Sequence, residues 1–399
     1  MNTVRLGVDR LIDERPDLGG RRWALLTNDT GVTADLVPSS VAVADARLPV
    51  VALLGPEHGL RGTAQAGESE GEGRDPRTGL PVVDTYRLEG AALDRVIADL
   101  DVDTLLVDLQ DVGVRHYTYV WSMVDCLRSA ARLGIHVVVL DRPNPLDGVT
   151  VAGPGLRPGF ESFIGRIDVP MRHGLTIGEV ARVAAALDRA AGHDVPDPTV
   201  VTMRGWRRDM LWADTGLAWV LPSPNVPTAT TALAYAGTVL VEGTNLSEGR
   251  GTTRPFELIG APWLDERLAA RMRALGLPGV RFRATWFEPT FGTWAGDVVG
   301  GLQVHVDDPR AFEPLRTATE LLLAARALAP EEFAWRTPSW EGDSRRPYFL
   351  DLLWGSDSLR RLVEQADGDG IAAAIAEAPR LRARDEALLL YGKGDHDGQ

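Results

Sequence analysis

The chain has 399 residues, 44% of them hydrophobic and 25% charged, which is ordinary for a soluble globular protein with room for two domains. Its net charge of -14 and pI near 5.0 oppose nucleic-acid binding, because phosphate contacts need clustered Lys and Arg. A single lysine, Lys393, and a single cysteine, Cys126, argue against Schiff-base, pyridoxal phosphate and P-loop chemistry, and rule out an internal disulfide or a thiolate metal cluster.

The N-terminal residues have no apolar signal-like core, and no run reaches about 18 uncharged apolar residues. The chain as given therefore reads as cytoplasmic, with no membrane partner.

Four apolar runs in the first half read as buried strands. Residues 23–27 stop at Asn28-Asp29, residues 49–54 run into Pro56-Glu57-His58-Gly59, residues 103–107 into Asp108, and residues 136–140 into Asp141-Arg142-Pro143-Asn144. Unbroken Val/Leu runs without alternation fit a parallel sheet covered on both faces. Between them, Leu93, Val96, Ile97 and Leu100 recur at helical spacing, and Ser122 is placed to cap a helix carrying Val124, Leu127 and Ala131. The alternation predicts an α/β fold, a Rossmann-like doubly wound parallel sheet, over residues 1–227. Ligands bind such sheets outside the carboxyl ends of the strands. That places Asn28, Glu57, His58, Asp108, Asp111, Arg142 and Asn144 on one rim.

Segment 153–176, rich in Gly and Pro and carrying Arg166, Arg172 and His173, reads as a loop folded over that rim. Thr176 and Glu179 form a capping box for the next helix, so Glu179 is read as structural. The Pro-rich run 221–227 marks a domain boundary, followed by a smaller α+β auxiliary domain, residues 228–399, expected to complete the cleft. In it, residues 239–252 read as a strand end and a polar glycine loop. Helices are expected near 265–275, 310–328 and 357–366, and a strand near 299–306.

Gly67-Glu68-Ser69-Glu70-Gly71 matches a nucleophile elbow in letters, but it lies in a polar loop rather than between strand and helix. No G-x-G-x-x-G follows the first strand, so no dinucleotide or other cofactor is expected. His58, Asp108, Asp111, His116 and His173 are possible metal ligands without ligand spacing, and no metal site is assigned. Glu57 and Glu242, each closing an apolar run, fit a pair of acid/base carboxylates better. Tyr117 and Tyr119 suit a wall on which a sugar ring stacks.

Together these motifs, with Asp108 to Tyr119, Arg172-His173-Gly174-Leu175-Thr176, Pro222-Ser223-Pro224-Asn225, Glu242-Gly243-Thr244-Asn245 and Gly249-Arg250-Gly251-Thr252, resemble the bacterial exo-β-N-acetylmuramidases of the NamZ type from about residue 5 to Tyr391. Two departures stand out: His116 replaces the usual Phe, and Leu127-Arg128-Ser129-Ala130 replaces a frequent Met-Glu-Ala-Ala. The resemblance implies a glycosidase that removes N-acetylmuramic acid from the non-reducing end of peptidoglycan fragments, with a small carbohydrate as its partner. It makes Glu57 the leading catalytic candidate, with Glu242 or Asp111 or the substrate's own 2-acetamido oxygen acting from the other face. Arg115, Arg142 and Arg250 are expected to meet the lactyl carboxylate, because a guanidinium fork binds both oxygens. Asn28, His58, Asp108, Tyr117, Tyr119, Asn144, His173, Asn225 and Asn245 complete the expected substrate contacts. A sugar-binding protein without turnover, or a metal-dependent hydrolase using His58, Asp108 and His173, are the alternatives.

Overall fold

The computed structural model describes residues 3–337, 345–378 and 385–392; Lys393 lies outside them. Five helices and seven strands come first: α1 (Gly7–Glu14), β1 (Trp23–Thr27), α2 (Ser39–Asp45), β2 (Val50–Gly55), β3 (Gly73–Arg74), β4 (Pro81–Asp84), α3 (Gly90–Ala98), β5 (Thr104–Asp108), α4 (Tyr119–Leu133), β6 (His136–Leu140), α5 (Ile177–Ala190) and β7 (Thr199–Val201). They form one sheet in the order β3-β4-β2-β1-β5-β6-β7, parallel throughout except for the short β3.

Every residue of β1 and β5 is buried, as expected for strands covered on both faces. Leu25, Leu53, Leu106, Val138 and Leu140 of the sheet share one core cluster with Leu6, Val8 and Leu11 of the N-terminal segment. The chain moves outward from β1 to β2 and β4, then returns to β5 on the other side of β1. The carboxyl ends of β1 and β5 therefore flank the point where the winding reverses, the usual ligand crevice of such a sheet.

Helix α4 begins three residues before Ser122, the expected cap, because Tyr119, Val120 and Trp121 are all buried and extend its packed face. Thr176 does cap α5, accepting from Glu179 N–H while the Glu179 carboxylate accepts from Thr176 N–H.

The remaining elements are α6 (Ala229–Thr238), the 3-10 turn Val239–Gly243, β8 (Leu258–Ala261), α7 (Glu266–Ala274), β9 (Val280–Phe287), β10 (Val299–Val306), α8 (Pro314–Leu328), α9 (Phe349–Trp354), α10 (Ser358–Gln365) and α11 (Gly368–Ile375). The three strands make an antiparallel sheet in the order β8-β10-β9. Residues 239–243, expected as a strand end, continue α6 as a tighter helix instead. A short buried Val/Leu run fits either conformation, and burial of all five residues here is met by helical packing.

The chain packs as two compact units, as far as their residues are described: Met1–Thr150, Gly174–Pro224 and Ala383–Gln399 form one, and Val151–His173 with Asn225–Arg382 the smaller other. Two segments thus depart from a single division at residue 227. Segment 151–173 is tied into the second unit by Gly153 N–H on Ile375 C=O and by Arg157 on Glu377. The C-terminal segment is tied into the first, where Tyr391 donates to Asp141 at 2.5 Å and Leu390 N–H to Glu179 at 2.8 Å. Among the described residues no helix is long and apolar enough to cross a membrane.

Candidate active site

In the first unit the loops after β1, β2, β5 and β6 carry the expected rim residues. Glu57 lies two residues past β2 and is only 6% exposed. Its Oε1 accepts from Gly67 N–H at 2.7 Å and its Oε2 from the Thr118 hydroxyl at 2.6 Å, so both oxygens are aimed by neighbouring loops. Burial, and then the Glu57 charge, push the nearby Tyr86 phenol up to about 12.

The turn that presents Glu57 places His58 at φ +70°, a conformation uncommon for a side-chain-bearing residue and a frequent mark of a functional loop. His58 Nδ1 lies 2.9 Å from Ala64 C=O, so Nδ1 carries the proton in the neutral ring and Nε2 is left as the acceptor.

Several expected substrate contacts are committed elsewhere. Asp108, wholly buried, pairs with Arg142 through two bonds of 2.6 and 2.8 Å and also accepts from Ser39, while Arg142 Nη2 donates to Val32 C=O. Arg142 is therefore a strut between loops rather than an arginine open to a ligand carboxylate. Asp111 accepts from Gly113 N–H at 2.7 Å and shapes its own loop. Asn144 bridges Leu146 N–H and Leu175 C=O, and a Cβ on Gly113 (φ +82°) would lie 2.4 Å from its Oδ1, so only glycine fits there.

Asn28 accepts from both the N–H and the hydroxyl of Thr30. Tyr117 and Tyr119 pack edge to face at 4.9 Å, and the Tyr119 hydroxyl donates to Pro222 C=O. Tyr119 is fully buried, so its ring face is core and not a sugar-stacking wall. Arg115 is fully buried as well.

The second unit holds His173 and Asn225, both buried, and Asn245, whose amide is stitched to Glu332 C=O and Ala334 N–H. It also holds a cluster only partly anticipated. Arg250 lies between two carboxylates, 2.9 Å from Glu242 and 3.2 Å from Glu248, with its guanidinium over the Phe256 ring. Gly251 (φ +78°) lets this loop touch the backbone of Phe291, which a Cβ would meet at 2.6 Å.

Glu248 was missed by sequence reasoning, although its place two residues before Arg250 in a polar glycine loop was the available signal. Burial, then the Glu242 charge, push its carboxyl up from 4.5 to about 7, against the pull of Arg250 and Arg336. Such a group holds its proton more tightly when folded. Its contribution to stability is fully present below the unfolded value and is lost as pH rises through about 7. Unfolding by urea at pH 5.5 and 8.5 is expected to show the wild type less stable at the higher pH, and Glu248→Gln to reduce that difference. An equal pH dependence in the variant would refute the assignment.

Among the described residues no three His, Cys, Asp or Glu side chains converge as metal ligands.

Comparison with known proteins covers most of the chain. The family description "Exo-beta-N-acetylmuramidase NamZ, N-terminal" matches residues 23–230, and its C-terminal counterpart matches residues 233–391. The peptidoglycan beta-N-acetylmuramidase NamZ of Bacillus subtilis (strain 168) is 42% identical over 364 residues, covering 90% of this chain and 84% of that protein. Crystal structures of two DUF1343 family proteins from Bacteroides fragilis NCTC 9343 match with TM-scores of 0.84 and 0.74 at 30% and 26% identity. Each match covers 98% of this chain, and 99% and 100% of the respective neighbour.

Proposed function

The chain belongs to the exo-beta-N-acetylmuramidase NamZ family, and on that premise we propose that it hydrolyses the β-glycosidic bond of a terminal N-acetylmuramic acid at the non-reducing end of peptidoglycan fragments. The observation that carries the chemistry is Glu57: a nearly buried carboxyl group beyond the carboxyl end of β2, aimed by Gly67 and Thr118. In its protonated form it gives its proton to the glycosidic oxygen as an oxocarbenium-like transition state develops.

The group attacking from the other face is the substrate's own acetamido oxygen. Asp111 shapes its own loop through Gly113 N–H and the Arg250 guanidinium offsets the charge of Glu242, whereas the acetamido group is held beside the anomeric carbon by the substrate itself. Attack by the acetamido oxygen on the anomeric carbon expels the protonated alcohol and forms a bicyclic oxazolinium ion. Water, giving a proton back to the Glu57 carboxylate, then attacks the anomeric carbon, opens that ring and restores the β configuration.

The test is release of free N-acetylmuramic acid from a MurNAc-GlcNAc disaccharide, followed by mass spectrometry beside the reversed GlcNAc-MurNAc disaccharide. Release from the first alone is expected, and the first-formed anomer seen by proton NMR should be β. Turnover of neither disaccharide would leave a sugar-binding protein as the better reading, and an α anomer would replace the acetamido oxygen with a directly attacking water.

A further inference from the structure

The arginines expected to meet the lactyl carboxylate are engaged or enclosed: Arg142 holds Asp108, Arg250 lies between Glu242 and Glu248, and Arg115 is fully buried. Yet the lactyl carboxylate is what distinguishes muramic acid from N-acetylglucosamine, so an enzyme selective for it needs cations elsewhere.

Beyond the carboxyl end of β1, at the reversal point of the sheet, lies a pocket of about 60 Å³ whose lining includes Asn28, Asp29, Ser40, Arg61, Asp75 and Arg77. It has room for about two waters, enough for a carboxylate and too little for a sugar ring. Arg61 and Arg77 are exposed, and among the described residues neither guanidinium is paired with a carboxylate. Their backbones are nevertheless fixed, with Arg61 N–H on Glu70 at 3.0 Å and Arg77 N–H on Asp75 at 3.3 Å. Asp75 is occupied by Arg77 N–H, Thr78 N–H and the Thr78 hydroxyl, which leaves Asp29 to accept from a sugar hydroxyl.

The loop that presents the proposed acid also supplies part of the pocket wall: Leu60 and Arg61 line the pocket and follow Glu57 by three and four residues.

We propose that Arg61 and Arg77 form the subsite that binds the lactyl carboxylate and sets selectivity for muramic acid, an assignment that rests on the muramidase reading above. Two exposed arginines in the lining of a carboxylate-sized pocket can supply charge-assisted, fork-shaped hydrogen bonds to both oxygens.

The experiment compares wild type, Arg61→Met, Arg77→Met and the double variant on an aryl β-glycoside of N-acetylmuramic acid, on its neutral lactyl amide, and on the matching N-acetylglucosaminide. Thermal unfolding of each variant confirms that it is folded, and Arg61→Lys serves as the conservative control. Wild type should prefer the acid to the amide. Each single variant should lose about 10- to 100-fold in kcat/KM on the acid, chiefly through KM, and the acid-to-amide preference should collapse in the double variant. Equal losses on acid and amide, or no loss on either, would overturn the subsite while leaving the muramidase reading intact. Inactivity of the wild type on all three glycosides would overturn the muramidase reading, and the subsite with it.

Discussion

Replacing Glu57 by glutamine is expected to lower kcat on a MurNAc-GlcNAc disaccharide by about 10²- to 10⁴-fold, the usual contribution of a positioned general acid, with KM changed only a few-fold. The split follows from the surroundings of the side chain. Glutamine has the same shape and keeps a carbonyl oxygen for one of the two donors, Gly67 N–H and the Thr118 hydroxyl, so the loop after β2 should hold its place. What the amide cannot supply is a proton to a departing alkoxide. A loss that falls on kcat and kcat/KM together marks an interaction made only in the transition state.

The leaving group sharpens the test, because a nitrophenolate departs with little help while a sugar hydroxyl needs its proton. The loss should therefore be much smaller on a nitrophenyl glycoside than on the disaccharide. Nearly full activity of Glu57→Gln on the disaccharide would remove Glu57 from the acid's role, whatever the family resemblance.

How far this site could be read from the residues alone depends on what kind of information each part needed. Strands β1, β2, β5 and β6 were legible because burial on both faces leaves unbroken Val/Leu runs, and the polar residues that end those runs had to lie on one rim. Strands β3 and β4 were not, being two and four residues long and bordered by polar loops. The run Val239–Val241 was misread because a buried helical turn and a buried strand share the same apolar signature.

Side-chain direction was the larger gap. Position along the chain placed Arg142 and Asp108 at the rim, and residue type suggested a sugar wall at Tyr119, but only the adjacency of β5 and β6 turns Arg142 onto Asp108, and the Tyr119 hydroxyl is turned to the Pro222 carbonyl. Arg61 and Arg77 show the converse. Arg61 lies in the stretch 56–62 and Arg77 in no motif, no role was read for either, and they gain interest because both line one pocket.

The Asp108–Arg142 pair yields the second large effect. The two side chains are 0% and 3% exposed, and Arg142 reaches both oxygens of Asp108 while Ser39 donates to the same carboxylate. Removing one partner strands the other charge in a nearly dry interior, so Arg142→Met is expected to cost about 3–5 kcal/mol in urea unfolding. Asp108→Asn should cost less, since its amide oxygen still accepts from Arg142 although the charge is left without its counterion.

Desolvation of both ions offsets most of their attraction, so the double replacement Asp108→Leu with Arg142→Met should be less destabilising than the sum of its single changes, and could approach wild type. This cycle separates a strut from a ligand contact. For a strut, stability falls in the single variants and is recovered in the double, and activity follows the folded fraction. If Arg142→Met instead unfolds like the wild type while kcat/KM on the muramic acid glycoside drops and the lactyl amide is spared, the guanidinium faces substrate during turnover. The lactyl subsite would then have to be moved from Arg61 and Arg77 to the floor between β5 and β6.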